Sequence, residues 1–409
     1  MRILHVGPVK TARPKGVSAS LCGLFDGLGV DGPSRSILGL AAALAESGVE
    51  VGVLPTKPFF ESSWLKPDKI KYLEPYSGRK YNPFVGGRRW LRLIEEEFGR
   101  PDLVNFHDVY DLFSCGLAAQ MYRRNWTYIV TPRGGLRHVA QQRDSFKKKI
   151  ANPLFFKPYL RHAAIIHALA EGEAEEIREF DPALRTAIAP NGLFAEQIDA
   201  CAKLPRLKEA GDSRRVVGFL GQMFVHIKGL DLLVAAIGKL QESGVGENLR
   251  FVLAGPESSK AQESRSLRDM VAALPRPSQV EFIGPRYGKD KWITLNNFDV
   301  FVLPSRTEGM PVVGLEAMAC GRPCLFTKAT NMAGVIEAAR GGWGCETTVE
   351  GIYEGLMEVA EASDEALEAL GEGARQYVRQ HFTWSVVAER YLEMVSTVFN
   401  GDHSSTSGA

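Results

Sequence analysis

The feature that most constrains the fold of this chain is a repeated alternation of short apolar runs and helical patterns. The apolar runs are nearly continuous, as in strands that are buried on both faces of a parallel sheet. Helical patterns such as Ser34–Ser47 lie between them and supply the crossovers that parallel strands need. The strand candidates are Arg2–Gly7, Val49–Leu54, Leu103–Phe106, Tyr128–Thr131, Ala164–Ala168, Thr186–Ala189, Val216–Leu220, Arg250–Ala254, Val280–Ile283, Asp299–Leu303 and Pro323–Phe326.

The alternation pauses near residue 200 and restarts at Val216, which predicts two domains. A chain of 409 residues is also too long for one ordinary domain. We expect a first domain over 1–200, a linker over 201–215 rich in Lys, Arg, Gly and Asp, and a second domain over 216–383. The fold class is α/β, with two doubly wound parallel sheets whose carboxyl strand ends face a common cleft. The polar tail 401–409 is expected to be disordered.

Composition excludes several classes of protein. The net charge is only +1, so the concentrated basic footprint of a nucleic-acid binder is missing. The apolar runs are too short to span a membrane, and the first residues predict a strand and not a signal peptide. The six cysteines are scattered without a C-x-x-C pair. This pattern favours a reducing cytosol and argues against a metal site or a disulfide framework.

Two carboxylates, Glu308 and Glu316, follow a predicted buried strand. Glu308 lies in the loop after the strand, and Glu316 projects from a predicted helix over Val312–Cys320. Pro311 fits the first position of that helix, and Gly321 fits its C-terminal cap. One carboxylate can bind the hydroxyl groups at one end of a ligand while the other binds those at the opposite end.

The loop before the helix adds backbone donors to the two carboxylates. Gly309, Met310 and Pro311 lead into the helix N-terminus, where unpaired N–H groups favour anionic or hydroxyl-rich ligands. We therefore assign the whole segment from Glu308 to Glu316 to the binding of one ligand.

The segment Ser305–Pro323 resembles the E-x7-E signature of the family 4 retaining glycosyltransferases. The resemblance implies the GT-B fold, two Rossmann-like domains that face each other, and a nucleotide-diphosphate sugar as the donor. It implies that Glu308 contacts the donor sugar and that Glu316 holds the ribose hydroxyls. It also implies that the terminal helix 384–399 returns to the first domain.

A second segment, Gly221–Leu233, looks like the family's diphosphate-binding loop. The resemblance places Lys228 beside the leaving diphosphate, close to a helix N-terminus. Gln222 stands where the family has an arginine, and a neutral amide cannot offset phosphate charge. Either Arg133 or Arg35 substitutes for that arginine, or donor affinity is weakened.

The first domain also carries residues that match family positions. His107 ends a predicted strand and would lie beside the donor sugar and the leaving phosphate, while a structural hydrogen-bonding role is the alternative. Arg133 follows another strand and would face the diphosphate or an anionic acceptor, and a structural ion pair is its alternative. Gly32 belongs to a loop that approaches the donor phosphate or the acceptor. In the second domain, Arg286 lies where the family recognises the nucleotide base.

A basic segment over Arg137–Arg161 interleaves cations with aromatic and aliphatic residues. Lys147, Lys148 and Lys149 stand beside Phe146 and Ile150. Such a segment can bind anionic lipid, and the resemblance implies that members acting on lipid-linked sugars dock on membranes. The alternative is a solvated basic face that packs its aromatic side chains inward.

The sequence therefore predicts a retaining glycosyltransferase that moves a sugar from a nucleotide-diphosphate donor to a hydroxyl acceptor. The acceptor is expected to be a carbohydrate or a lipid-linked sugar, in polysaccharide or glycolipid biosynthesis. The chain has no D-x-D motif, so we expect no metal and no other cofactor. We expect a cytoplasmic protein and leave open a place at the inner face of the membrane.

Three other functions remain open. A nucleotide-sugar 2-epimerase shares the architecture, although the intact Glu308–Glu316 pattern speaks against it. A pseudoenzyme or scaffold is conceivable because of Gln222. An NAD-dependent oxidoreductase would need the G-x-G-x-x-G match of Gly27–Gly32 to be real, but that match lies about twenty residues beyond the first strand.

Overall fold

The computed structural model describes residues 1–9, 32–56, 69–73, 87–142, 145–206, 213–258 and 261–400. The described residues form two compact units. The first holds those of 1–192 and the helix from Trp384 onward, and the second holds those of 193–383. The glycine-rich loop 27–31, the linker residues 207–212 and the tail 401–409 lie outside the described residues.

The first unit contains a parallel sheet and the helices that connect its strands. Its strands are β1 Arg2–Gly7, β2 Glu50–Pro55, β3 Ile70–Tyr72, β4 Leu103–His107, β5 Tyr128–Thr131, β6 Ile166–Ala168 and β7 Thr186–Ile188. Its helices before residue 192 are α1 Gly32–Glu46, α2 Gly87–Glu97, α3 Leu112–Tyr122, α4 His138–Gln142, α5 Ser145–Ala151, α6 Lys157–Arg161 and α7 Glu171–Phe180, with a π-helical turn over Asn152–Phe156.

The second unit repeats this plan with its own parallel sheet. Its strands are β8 Arg215–Leu220, β9 Leu249–Ala254, β10 Val280–Gly284, β11 Val300–Leu303, β12 Cys324–Thr327 and β13 Gly342–Cys345. Its helices are α8 Ala195–Cys201, α9 Leu230–Glu242, α10 Ala261–Ala272, α11 Gly288–Asn297, α12 Val312–Ala319, α13 Ala333–Ala338, α14 Val349–Glu361 and α15 Asp364–His381. The last helix, α16 Trp384–Asn400, belongs to the first unit.

Both sheets are doubly wound, which confirms the predicted fold class. Among the described residues the strand orders are β3-β2-β1-β4-β5-β6-β7 and β10-β9-β8-β11-β12-β13. Every strand pair in them is parallel. The order reverses between β1 and β4 in the first sheet and between β8 and β11 in the second. Ligands of such folds bind beyond the carboxyl ends of the strands at this reversal.

The burial of the strands explains why they could be predicted from apolar runs in the sequence. β4, β5, β11 and β12 are buried at every position, so each run must be apolar nearly throughout. Helix α16 packs back on α1 because Gly39 leaves room for an indole ring. A Cβ at Gly39 would lie 2.3 Å from the ring of Trp384.

A disulfide corrects the expectation from the cysteine pattern. Cys201, the last residue of α8, is bonded to Cys320, which caps the C-terminal end of α12. Both residues are at most 1% exposed. The expectation of no disulfide framework was therefore wrong, because the two cysteines are separated by 119 residues and only the fold brings them together. The buried Cys324 is a free thiol, and burial raises its pKa.

Candidate active site

Two loops of the second unit leave neighbouring strands at the reversal of strand order. The loop after β8 carries Gln222 and Lys228, and the loop after β11 carries Glu308. Because the carboxyl ends of parallel strands meet at one edge of the sheet, residues 80 positions apart in sequence come into contact. The structure thus brings Lys228 and Glu308 together.

Glu308 is held by a lysine, a hydroxyl and an amide. The Lys228 ammonium donates to Glu308 Oε1, and both side chains are less than one fifth exposed. The Ser305 hydroxyl donates to the same oxygen at 2.9 Å. Asn331 adopts a left-handed conformation, and its amide donates to the backbone oxygens of Glu308 and Gly309 at 2.9 and 2.8 Å. The carboxylate is therefore fixed in position, with its charge balanced by one cation.

Glu316 has its own lysine. It lies in the body of α12 at 3% exposure, and the ammonium of Lys291 donates to its Oε1. Lys291 lies in the first turn of α11 and is 6% exposed. Arg286 and Tyr287 immediately precede that helix, so Arg286 lies near the same end of α11. A buried carboxylate is tolerated here because a cation is buried beside it.

Two further contacts fasten the loop after β8 to the loop after β11. The Arg306 guanidinium forms a two-bond ion pair with Asp231, at 2.6 and 2.7 Å, and its backbone N–H donates to the Ile227 oxygen. Gly229 has a φ of +62°, and a Cβ there would lie 1.9 Å from the Pro304 oxygen. Only glycine permits this close approach. The lysine and its carboxylate thus lie on two loops that form one rigid structure.

The remaining predicted residues of this segment differ in exposure. Gln222 is exposed, whereas the side chains of Met310 and Pro311 are buried. Pro311 is the N-cap of α12 and not its first helical residue, and Gly321 follows the C-cap with a φ of +65°. Glycine is favoured at this position because it has no Cβ and therefore adopts the left-handed conformation without strain.

In the first unit, His107 and Arg133 are in direct contact. Arg133 donates through Nη2 to His107 Nδ1 at 3.0 Å and through Nη1 to the Ser36 hydroxyl at 2.7 Å. His107 Nε2 lies 3.0 Å from His5 Nδ1. Because His107 Nδ1 accepts from an arginine, the neutral ring carries its proton on Nε2 and donates it to His5. Both ring nitrogens of His107 are thus occupied within this unit.

Burial keeps these histidines neutral. It lowers the pKa of His5 to about 3 and that of His167 to about 4, and it lowers the pKa of His107 well below its ordinary value. The positive charge of Arg133 lowers all three pKa values further. The cluster therefore consists of buried, neutral imidazoles beside one permanent cation.

Glu173 positions the turn that carries Arg133. Its carboxylate is 1% exposed and accepts from the backbone N–H groups of Gly134 and Leu169 at 2.5 and 2.8 Å. Burial raises its pKa. Arg133 has a φ of +51°, a strained conformation for a residue with a side chain. From the sequence Glu173 reads as a helix-start acid that favours the dipole, so this contact was missed.

The other predicted residues of this unit differ in their surroundings. Gly32 opens α1, and a Cβ there would meet no described atom within 4 Å, so packing against the described residues does not require glycine. Lys147 and Lys149 are exposed, but Lys148 points inward. Its ammonium donates to the Ala140 oxygen and lies 4.4 Å from the ring centre of Tyr110.

Sequence reasoning missed His5 and Glu173 in the first unit, and Lys291, Arg306 and Asn331 in the second. Arg306 lies within the segment Ser305–Pro323, but its contact with Asp231, like the contacts of the other four residues, is made only through the fold. Within the parts of the chain that the structure describes, no group of three or more His, Cys, Asp or Glu residues could hold a metal ion. No described helix is long and apolar enough to cross a membrane.

Each of the two units matches a glycosyltransferase family model. Residues 203–377 match the model described as Glycosyl transferases group 1, and residues 30–197 match that of Glycosyltransferase Family 4. Each unit is therefore similar to a glycosyltransferase domain.

Similar proteins agree with this result. A D-inositol 3-phosphate glycosyltransferase from Stackebrandtia nassauensis is 27% identical over 326 residues, which are 75% of this chain and 65% of that protein. Curated relatives are matched over 42% to 65% of their own length. These matches leave at least a third of each relative outside the comparison.

Two solved structures show the same fold. Anabaena Alr3699/HepE in complex with UDP and glucose has a TM-score of 0.64 at 15% identity, over 97% of this chain and 100% of that one. WaaG, a glycosyltransferase involved in lipopolysaccharide biosynthesis, has a TM-score of 0.64 at 16% identity, over 96% and 99%. The fold of the chain is therefore the GT-B fold.

The buried histidines predict a loss of stability in acid. A histidine whose folded pKa is lowered binds its proton first in the unfolded chain, so stability falls as the pH drops below about 6.5. Each such histidine adds ~1.4 kcal/mol per pH unit until its folded pKa is reached. We predict that His167→Gln reduces the slope of unfolding free energy against pH, measured by urea unfolding between about pH 6 and 4.

The control for this experiment is Gln380→Ala, at an exposed position of the second unit, which replaces a side chain that does not titrate. Its slope should equal that of the wild type. Equal slopes in the wild type and in His167→Gln would contradict the account of the buried cluster.

Proposed function

We propose that this chain is a retaining glycosyltransferase that uses a nucleotide-diphosphate sugar as its donor. The observation that carries the proposal is the pairing of each site carboxylate with a lysine from a different element. Lys228 pairs with Glu308 and Lys291 pairs with Glu316. Both pairs belong to the second unit, at the edge of the sheet where doubly wound folds bind nucleotides.

The two pairs suit the two ends of a nucleotide sugar. Glu316 is fixed by Lys291 in the body of α12, and we propose that its carboxylate accepts from the ribose hydroxyls. Glu308 would accept from hydroxyls of the sugar. Gly309 and the N-terminal turn of α12 would add backbone donors, and Arg286 would lie beside the base. UDP and glucose bound together in Anabaena Alr3699/HepE, a structure of the same fold, support this type of donor.

Lys228 would stabilise the leaving group. As the bond between the anomeric carbon and the phosphate oxygen breaks, negative charge grows on the nucleoside diphosphate, and a nearby ammonium lowers the energy of that state. The acceptor hydroxyl forms the new bond on the same face, and its proton passes to a phosphate oxygen of the leaving group. We propose that the reaction needs no metal ion, since Lys228 supplies the positive charge.

The histidines of the first unit already have defined hydrogen-bond partners within that unit. The resemblance gives His107 a place beside the donor sugar, and we retain that role as a proposal. Arg133 and His5 occupy its two ring nitrogens. His107 must therefore release one of these partners before it binds a sugar hydroxyl, and a released Arg133 could then bind a phosphate.

We predict that Glu308→Gln and Glu316→Gln each lower the kcat/KM of donor use by about 10- to 100-fold, the value of a hydrogen bond to a charged group. The measurement is the slow release of free sugar from UDP-, GDP- and ADP-sugars by purified protein. NMR of the product formed with an acceptor reports whether the anomeric configuration is retained.

The matched control is Glu346→Gln, which removes a carboxylate from the exposed Lys328–Glu346 pair of the same unit. This variant should keep wild-type turnover. Wild-type turnover in Glu308→Gln and Glu316→Gln would show that the assignment of the site is wrong. The absence of a thermal shift with any nucleotide would overturn the function itself.

We also propose that the acceptor is met at an anionic membrane surface. Phe146, Ile150 and Leu154 follow one another at four-residue steps along the helical segment 145–161, and they are 75%, 53% and 62% exposed. The alternative, that the basic segment packs its apolar side chains inward, fails for these three. Lys147 and Lys149 flank them. Exposed apolar side chains beside lysines are typical of membrane-surface helices.

Phe146, Ile150 and Leu154 together form an apolar stripe on the surface of the first unit. We predict that replacing all three with serine lowers binding to vesicles of phosphatidylcholine and phosphatidylglycerol by about tenfold or more, because their burial in lipid is lost. Flotation of the full chain with the vesicles measures this. Ile188→Ser, at a 38% exposed position of the same unit, is the control. Unchanged flotation of the triple variant would contradict the proposal.

A further inference from the structure

The strongest unassigned feature is an apolar groove in the first unit. It runs between α3 and the segment 154–162, and its volume is about 380 Å³. The groove extends from Leu112 to Tyr122, which is the length of α3 and about 15 Å. A site of this volume suits a small ligand or one chain of a larger ligand.

Small side chains on α3 and inward-facing tyrosines make the groove apolar. Gly116 and Ala119 lie on the side of α3 that faces it. The Tyr128 hydroxyl donates to the Tyr159 backbone oxygen at 2.7 Å, and the Tyr159 hydroxyl to the Asp108 oxygen. Because both hydroxyls are bonded inside the unit, the rings present carbon atoms to the groove.

The rim of the groove is continuous with the apolar stripe. Leu154 belongs to both, and the neighbouring Phe155 is 41% exposed. Both residues belong to a π-helical turn over Asn152–Phe156, in which Pro153 lacks a backbone N–H. An unusual turn of this kind is frequent at functional sites. Chains of lipids that contact the stripe would therefore lie beside the opening of the groove.

One end of the groove carries the guanidinium of Arg123. Arg123 and His162 both line that end, and both are exposed. His162 stacks on the Tyr122 ring with 4.0 Å between ring centres. A guanidinium at the end of an apolar groove complements a phosphate attached to an alkyl chain.

We propose that this groove binds one hydrocarbon chain of a phosphate-bearing membrane lipid, with the phosphate beside Arg123. The site differs from the donor site in the second unit. The inference rests on the proposed membrane contact for the source of its ligand and does not depend on sugar transfer. The apolar lining of the groove, its basic end and the adjoining exposed stripe together favour a lipid over a protein partner.

The test uses the full chain and a series of n-alkyl phosphates of increasing length, each below the concentration at which it forms micelles. Isothermal titration calorimetry measures their affinity. We expect the affinity to rise about fourfold per added methylene until the groove is filled, and then to stay constant. Inorganic phosphate alone should bind far more weakly than the longer alkyl phosphates. An affinity that does not depend on chain length would overturn the proposal.

Two variants separate the groove from the rest of the surface. Ala119→Trp places an indole in the groove from an exposed position of α3, and it should abolish the dependence on chain length. Ala272→Trp, on the exposed end of α10, is the matched control and should bind like the wild type. Arg123→Gln should remove the preference for alkyl phosphates over alkyl alcohols. Wild-type affinities in Ala119→Trp would place the ligand elsewhere and overturn the assignment.

The outcomes also distinguish this inference from the proposed functions. Loss of chain-length dependence in Ala119→Trp, with donor hydrolysis unchanged, supports the groove and leaves sugar transfer unaffected. If the wild type binds no alkyl phosphate but forms dimers that the serine variant of the apolar stripe lacks, the surface is a protein interface and the lipid proposal is wrong.

Discussion

The parallel pairing of strands is the constraint on which the rest of this structure depends. It forces each chain segment to return by a crossover, so the carboxyl ends of all strands in a sheet lie at one edge. Lys228, Glu308, His107 and Arg133 each follow the end of a strand or finish it. Residues that are far apart in the sequence of each unit therefore lie close together in space.

A second physical condition is that buried charges are balanced within each unit. Glu316 is buried in the body of a helix, where an unpaired carboxylate would be strongly destabilising, and Lys291 compensates it. The first unit solves a similar problem with neutral groups, because burial and Arg133 keep its histidines unprotonated. The second unit therefore holds paired ions, and the first holds buried neutral imidazoles beside a single guanidinium.

Part of this arrangement could be predicted from the sequence, because some of its signals lie in short continuous segments. Strands such as β4 and β11 are buried throughout, so their apolar runs were visible, and Glu308 and Glu316 stood in a recognisable segment. β3 is only Ile70–Tyr72, and β13 is Gly-Trp-Gly-Cys, which has little strand propensity. Lys291, Glu173 and the Cys201–Cys320 bond could not be predicted, since each depends on two segments that meet only in three dimensions.

A crystal structure of the full chain with a bound nucleoside diphosphate would test the proposed donor site most directly. We expect the ribose hydroxyls to lie within hydrogen-bond distance of Glu316 while Lys291 still contacts that carboxylate. We also expect the Lys228 ammonium to turn from Glu308 toward the diphosphate. A nucleotide bound away from the loops after β8 and β11 would contradict this assignment of the donor site. So would a nucleotide that leaves the Lys228–Glu308 pair intact and contacts neither Glu316 nor α12.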